Sequence, residues 1–196
     1  MMLMIVGLAL FFLIHLVPAA PEVRRSLAER MGEGPYKLMF SVVSAVALAL
    51  IVYGYAKLHA TPGKNPVIWS PPSGMRHATL LLMLFSFILL AAAYIPSRIR
   101  SAAKHPMLAA IKLWALAHLL VRGDLASMVL FGSFLGFAIF DRISVKERAA
   151  LGPLGAKTGG LGGDIAVLVV GVGLYALMLL WGHARLIGIP LVPGWA

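Results

Sequence analysis

The chain has 196 residues, of which 61% are hydrophobic and only 12% are charged. Soluble domains carry about 25% charged residues, and no soluble core of this size needs so many apolar side chains. The composition therefore excludes a soluble domain and predicts an all-α polytopic membrane protein, built as a helix bundle.

The formal net charge of +10 comes from basic residues that flank apolar runs. In a soluble protein such a charge would suggest nucleic acid. Here the positive-inside rule and anionic lipid headgroups explain the bases better, so we expect the lipid bilayer and not nucleic acid as a partner. The absence of cysteine excludes a disulfide framework, a cysteine-ligated cluster and a thiol nucleophile.

Six apolar stretches predict about six transmembrane helices in a single domain over residues 1–196. They are residues 1–19, 36–55, 77–94, a fourth that opens at Pro106, 125–140 and 165–181. The first has neither the basic start nor the cleavage site of a signal peptide, so we expect it to stay as a span. Asp164 is expected to cap the sixth span.

The segments between the spans are polar. Residues 22–37 are predicted to be solvated or interfacial. Residues 57–76 hold four of the 12 prolines and predict a structured loop, in which His59 is expected to be an ordinary solvent or interface residue. Arg98, Arg100 and Lys104 are expected to form a basic collar.

The distribution of bases predicts the topology. Eleven bases lie in the first, third and fifth loops, five lie on the other side, and Lys112 inside a span completes the 17. Because cytoplasmic loops carry the excess of bases, both termini are predicted to be periplasmic, in a bacterial inner membrane.

Ionisable side chains inside apolar spans are costly, so each one is a candidate functional residue. The pattern for a metal site on one helix, His-x-x-x-His or Glu-x-x-His, is absent. On the fourth helix His118 shares a stripe with Trp114, whereas His105 lies about 220° away, on the face of Lys112. Histidines donated by different helices among aromatic residues are typical of haem in a membrane bundle.

The residues themselves indicate a family. KHPMLAAIKLWALAHLLVRGDLASMVLFGSFLGFAIFDRISVKER, RHATLLLMLFSFILLAAAYIPSRIR and the later HARLIGIP resemble the NnrU family of bacterial membrane proteins, over nearly the whole chain. The resemblance implies a role in denitrification, where the family is needed for nitrite and nitric oxide reductase activity or expression. It also implies respiratory or denitrification membrane enzymes as partners.

The NnrU domain is shared with the ζ-carotene isomerase of plants, a haem b enzyme. Its Val-His-Ser segment followed by Leu-Arg is similar to IHLVPAAPEVRR around His15, and its His-Pro and Trp-Cys-x-Ala-His segments are similar to KHP and WALAH in this chain. The resemblance thus implies haem b with His15 and His118 as axial ligands. Alanine stands at 115 in place of the isomerase's cysteine, and leucine at 16 in place of its serine.

The predicted cofactor site also includes Trp114 and three ionisable residues, Lys112, His105 and His77. Lys112, about 10 Å inside the fourth helix, is expected to pair with an acidic group such as a haem propionate. His105 and His77 are reserve ligands, because His15 and His118 are expected to differ in depth by about 15 Å. Two alternatives stay open: a haem-dependent isomerase of a polyene or lipid, and a cofactor-free assembly or sensing protein.

Overall fold

The computed structural model describes residues 1–147, 154–155 and 157–192, which form helices and no strand. In chain order the helices are α1 (Met2–Leu16), α2 (Pro21–Met31), α3 (Glu33–Ala60), α4 (Met75–Ala92), α5 (Arg98–Ala103), α6 (Pro106–Leu119), α7 (Leu125–Glu147), α8 (Leu161–Leu177) and α9 (His183–Ile187). A π-helical turn, Met178–Gly182, joins α8 to α9. The all-α prediction is confirmed.

Several of these helices have the length and composition of membrane spans. Within the described residues, four pass the test of length and hydropathy: Glu33–Ala60, Met75–Ala92, Leu125–Glu147 and the continuous run Leu161–Ile187. α1 and α2 pass it together, but they meet at an angle of 87°. α6 is apolar and about 21 Å long. This set is roughly consistent with the predicted six spans.

The chain forms two compact units, and the first contains Met1–Pro71 and Arg122–Phe137. Its main contact joins α1 to α3. A Cβ atom added at Gly7 would lie 2.8 Å from the backbone nitrogen of Ile51, and one added at Gly54 would lie 2.5 Å from that of Met4. These glycines let the two helix backbones approach more closely than any side chain would allow.

The second unit contains Pro72–Val121 and Ala138–Ala196. In it α4 packs against both α6 and α8. The Thr79 hydroxyl donates to the carbonyl of Ala117 (3.0 Å), and the buried Ser86 hydroxyl donates to that of Ala110 (2.8 Å). These two pairs show that α4 and α6 run antiparallel.

Asp164 has a different role from the predicted one. α8 begins at Leu161, so Asp164 lies inside its first turn and does not cap it. Its carboxylate instead accepts hydrogen bonds from the backbone nitrogens of Arg98 (2.7 Å) and Ile99 (3.2 Å), at the start of α5. The reason is the close approach of Gly163 to the carbonyl of Pro96, which brings the carboxylate onto the neighbouring helix start.

The predicted basic collar is only partly exposed. Arg100 is buried, with 8% of its surface exposed. Its guanidinium donates to the carbonyls of Gly155 and Lys157, at 2.7 Å each. Arg100 therefore ties Gly155 and Lys157 to α5, while Arg98 and Lys104 remain exposed.

Candidate functional site

His15 lies in the last turn of α1, half-buried against aromatic rings. Its Nδ1 is 2.7 Å from the carbonyl oxygen of Phe11. The imidazole stacks on the Phe11 ring, with 4.0 Å between centroids, and the ring of Phe40 lies 5.0 Å away. The ring of Phe137 meets it edge-on at 6.3 Å.

These rings belong to a larger aromatic group, here called the Phe cluster. Its members come from α1, α3 and the first part of α7: Phe11, Phe12, Phe40, Phe134 and Phe137. Phe12 stacks on Phe137 with 4.9 Å between centroids, and Phe11 lies 5.3 Å from Phe134. His15 thus lies beside an apolar aromatic surface.

The hydrogen bond of His15 sets its tautomer. A carbonyl oxygen only accepts, so Nδ1 carries the hydrogen, and in the neutral imidazole Nε2 then carries the lone pair. Histidines that bind metals in proteins almost always donate their other ring N–H in this way, which orients the ring and raises its basicity. In ring orientation and surroundings, His15 fits a residue that could hold haem iron.

His118 repeats this arrangement in the other unit. It lies in the last turn of α6, and its Nδ1 is 2.8 Å from the carbonyl oxygen of Trp114. The indole and imidazole centroids are 5.4 Å apart, at an interplanar angle of 55°. Trp114 and His118 are therefore neighbours, one helical turn apart, and the His118 tautomer also places the lone pair on Nε2.

The two reserve ligands, His105 and His77, lie on different helices. His105 is the N-cap residue of α6, thirteen positions before His118. Burial lowers the pKa of its imidazole, and the charge of Arg142 lowers it further against the opposing effect of Asp141. The neutral form, which is the metal-binding one, is thereby favoured. His77 lies in the first turn of α4 and is exposed.

Because α4 and α6 are antiparallel, His77 lies at the same end of that helix pair as His118. Lys112 lies in the middle of α6 and is half-buried. Within the described residues, no carboxylate forms an ion pair with it. The structure therefore groups His118, Trp114, Lys112, His105 and His77 in one unit and places His15 in the other.

A second polar site, in the unit of His15, was not anticipated from the sequence. Its centre is Asp124, whose Oδ1 accepts from the side-chain amide of Asn65 (2.8 Å) and the backbone nitrogen of Ser127 (2.9 Å). Oδ2 accepts from the Ser127 hydroxyl (2.8 Å) and lies 3.4 Å from Nε of Arg122. Burial raises the pKa of the Asp124 carboxyl, but these hydrogen bonds and the Arg122 charge outweigh it and lower the pKa to about 2.

His59 and Tyr55 also belong to this site, which is here called the Asp124 network. The Nη2 of Arg122 is 2.9 Å from Nε2 of His59 and 3.3 Å from the Tyr55 hydroxyl. The Nδ1 of His59 is 3.0 Å from the carbonyl oxygen of Tyr55. His59 is exposed, as predicted, and it also contacts these side chains, because the loop after α3 folds back onto the Arg-Gly-Asp turn.

Backbone contacts hold the loop in that position. The backbone nitrogens of Ile68 and Trp69 both donate to the carbonyl of Gly123, at 2.7 and 3.2 Å, and a Cβ at Gly123 would collide with the Trp69 carbonyl. One sequence signal could have indicated part of this site. Asp124 precedes an apolar run and bonds the backbone nitrogen of Ser127, as an N-cap aspartate does.

The fold and these sites define a class: an all-helical integral membrane protein with histidines at the ends of apolar helices. A family model described as NnrU protein matches residues 3–191. The chain belongs to the NnrU family. No curated protein and no solved structure was found to match it.

Proposed function

We propose that this protein binds haem b in the bacterial inner membrane and supports denitrification, through the activity or expression of nitrite and nitric oxide reductases. Membership of the NnrU family supports the link to denitrification. The observation that carries the haem proposal is the state of His15: a half-buried imidazole beside the Phe cluster, with Nδ1 bonded to a carbonyl. We propose a multi-pass topology with both termini in the periplasm.

In this proposal His15 and His118 would hold the haem iron, each through Nε2. When bound, haem b supplies one-electron redox chemistry whose potential the axial ligands and their surroundings tune. The carbonyls of Phe11 and Trp114 hold the two imidazoles in orientation. The Phe cluster would exclude water from the His15 side, and Lys112 would pair with a propionate.

Spectroscopy of the detergent-purified protein, oxidised and reduced, tests the cofactor. A haem Soret band supports the proposal, whereas a protein without it would be a cofactor-free assembly or sensing protein. Six-coordinate low-spin iron in both redox states is expected for an electron carrier. Loss of one ligand on reduction would favour the isomerase alternative, because a substrate could then reach the metal.

Single replacements by alanine test the ligands. His15→Ala and His118→Ala should each lose low-spin haem. His59→Ala is the matched control, since His59 has the same bond from Nδ1 to a carbonyl but lies in the Asp124 network. Normal low-spin haem in both ligand variants would contradict the assignment, and loss in His105→Ala or His77→Ala alone would move the site to that residue.

The physiological role needs its own test. Deletion of the gene from a denitrifying bacterium should lower nitrite or nitric oxide reductase activity in membranes. The wild-type gene should restore that activity, and His15→Ala should not. Full restoration by His15→Ala would separate the role in denitrification from haem binding.

A further inference from the structure

An open cavity in the first unit lies between the bend that joins α1 to α2 and the first part of α3. α1 ends at Leu16 and α2 begins at Pro21, and the two helix axes meet at 87°. The cavity has a volume of about 400 Å³ and is here called the elbow cavity. Its walls are Pro18, Arg24, Tyr36, Lys37, Phe40 and Ser41.

The elbow cavity is positively charged. Its lining residues include two cations, Arg24 and Lys37, and no carboxylate. Glu33 holds both cations from outside the lining, with 2.8 Å between Arg24 Nη2 and its Oε1 and 3.8 Å between Lys37 Nζ and its Oε2. Two positive charges and one negative charge leave a net charge of +1 at the cavity.

Arg24 and Lys37 differ in how firmly their side chains are held. The guanidinium carbon of Arg24 lies 5.5 Å from the centroid of the Tyr36 ring, so the ring and Glu33 together orient the group. A guanidinium presents paired N–H donors that match two phosphate oxygens. Lys37 has 72% of its side chain exposed and presents a compact point charge.

The surroundings match an amphiphile better than a free ion. Pro18 and Phe40 form an apolar part of the wall, next to the hydroxyls of Tyr36 and Ser41. α3 continues from the cavity with exposed apolar side chains, Leu38 at 67% and Val42 at 52%. A headgroup held at the elbow would therefore place its acyl chains along an apolar helix surface.

We infer that the elbow cavity binds the phosphate of an anionic phospholipid. The loop that carries it belongs to the base-rich side of the chain, which the positive-inside rule assigns to the leaflet richest in anionic lipids. The site uses none of the proposed haem ligands, although Phe40 belongs both to its wall and to the Phe cluster. One anionic lipid would thus bind at a defined position, in addition to the general attraction of the basic loops to anionic lipids.

Native mass spectrometry of the full-length protein in detergent can test this with phosphatidylglycerol and phosphatidylcholine. Arg24→Gln and Lys37→Gln should each weaken phosphatidylglycerol binding about fivefold, since one basic residue near an anionic surface is worth about 1 kcal/mol. Arg30→Gln, the same charge change on α2 outside the lining, should leave it unchanged. Phosphatidylcholine should bind weakly to all variants.

Glu33→Gln gives an expectation of opposite sign. It frees both cations from their ion pairs, so phosphatidylglycerol should bind several-fold more tightly. Weaker binding would indicate a structural role for the ion pairs and would overturn the inference, as would equal effects of Arg24→Gln and Arg30→Gln. Lys37→Gln guards against misfolding, because that side chain is largely exposed.

Two other ligands would give distinct results. If inorganic phosphate at millimolar concentration displaces the lipid completely, the cavity binds a free phosphate and the lipid assignment fails. If Arg24→Gln loses the haem absorbance band while lipid binding is unchanged, the cavity holds a haem propionate instead. A protein without haem that still shows the fivefold difference would uphold the lipid site alone.

Discussion

The side-chain amide of Asn65 donates to the carboxylate of Asp124 across 2.8 Å, although 59 residues separate the two in the chain. Asn65 also accepts from the backbone nitrogen of Ala126 at 2.9 Å. One amide thus fastens the loop after α3 to the start of α7 at two points. Together with Ser127, it favours the charged form of Asp124.

This arrangement predicts a pH dependence of stability. The pKa of Asp124 is about 2 in the folded protein, against an ordinary value of 3.8. A lowered pKa stabilises the fold above about pH 4, and the stabilisation is lost as the pH falls from 4 towards 2. Thermal unfolding in detergent from pH 2 to 7 should show Asp124→Asn less stable than wild type above pH 4, with the difference shrinking below it. A difference independent of pH would contradict this.

The close contact of α1 with α3 predicts a large effect of one methyl group. Gly54→Ala would force Cβ against the backbone of Met4, and overpacking of this kind costs about 1–3 kcal/mol. Gly34→Ala is the control on the same helix, because open space surrounds that position. The melting temperature in detergent should fall for Gly54→Ala and stay level or rise for Gly34→Ala. Equal melting temperatures for the two variants would contradict the close approach of α1 and α3.

Lys112 provides a test of the proposed cofactor site. A half-buried ammonium group in an apolar helix is costly unless it is paired or reaches the interface. Lys112→Leu should therefore lower haem content measured by absorbance, while the amount of folded protein stays normal or rises. Unchanged haem content and activity would mean that the lysine only extends to the membrane surface.

The base asymmetry predicts where the end of the chain lies. Trp195 lies outside the described residues. A reporter that functions only in the periplasm should be active when it is fused after this position. A paired reporter that requires the cytoplasm should be inactive at the same position. Cytoplasmic activity would mean an odd number of spans or an inverted insertion.

The sequence by itself determined the helical class and most helix positions. In lipid the backbone must satisfy its own polar groups, so long apolar runs have little choice but to form helices. Residues 77–94 were predicted as a span and α4 covers Met75–Ala92; Pro106 was predicted to open a helix and does. Trp114 was expected on the same stripe as His118, because helical spacing is local.

Only the tertiary structure decided the contacts between distant segments. Phe40 and Phe137 come to His15 from two other helices, and Asn65 reaches Asp124 from a loop. Asp164 looked like the cap of its own helix but bonds α5, 66 residues earlier. A side chain's local sequence sets which bonds it can make, whereas helix packing and loop closure set which partner lies within reach.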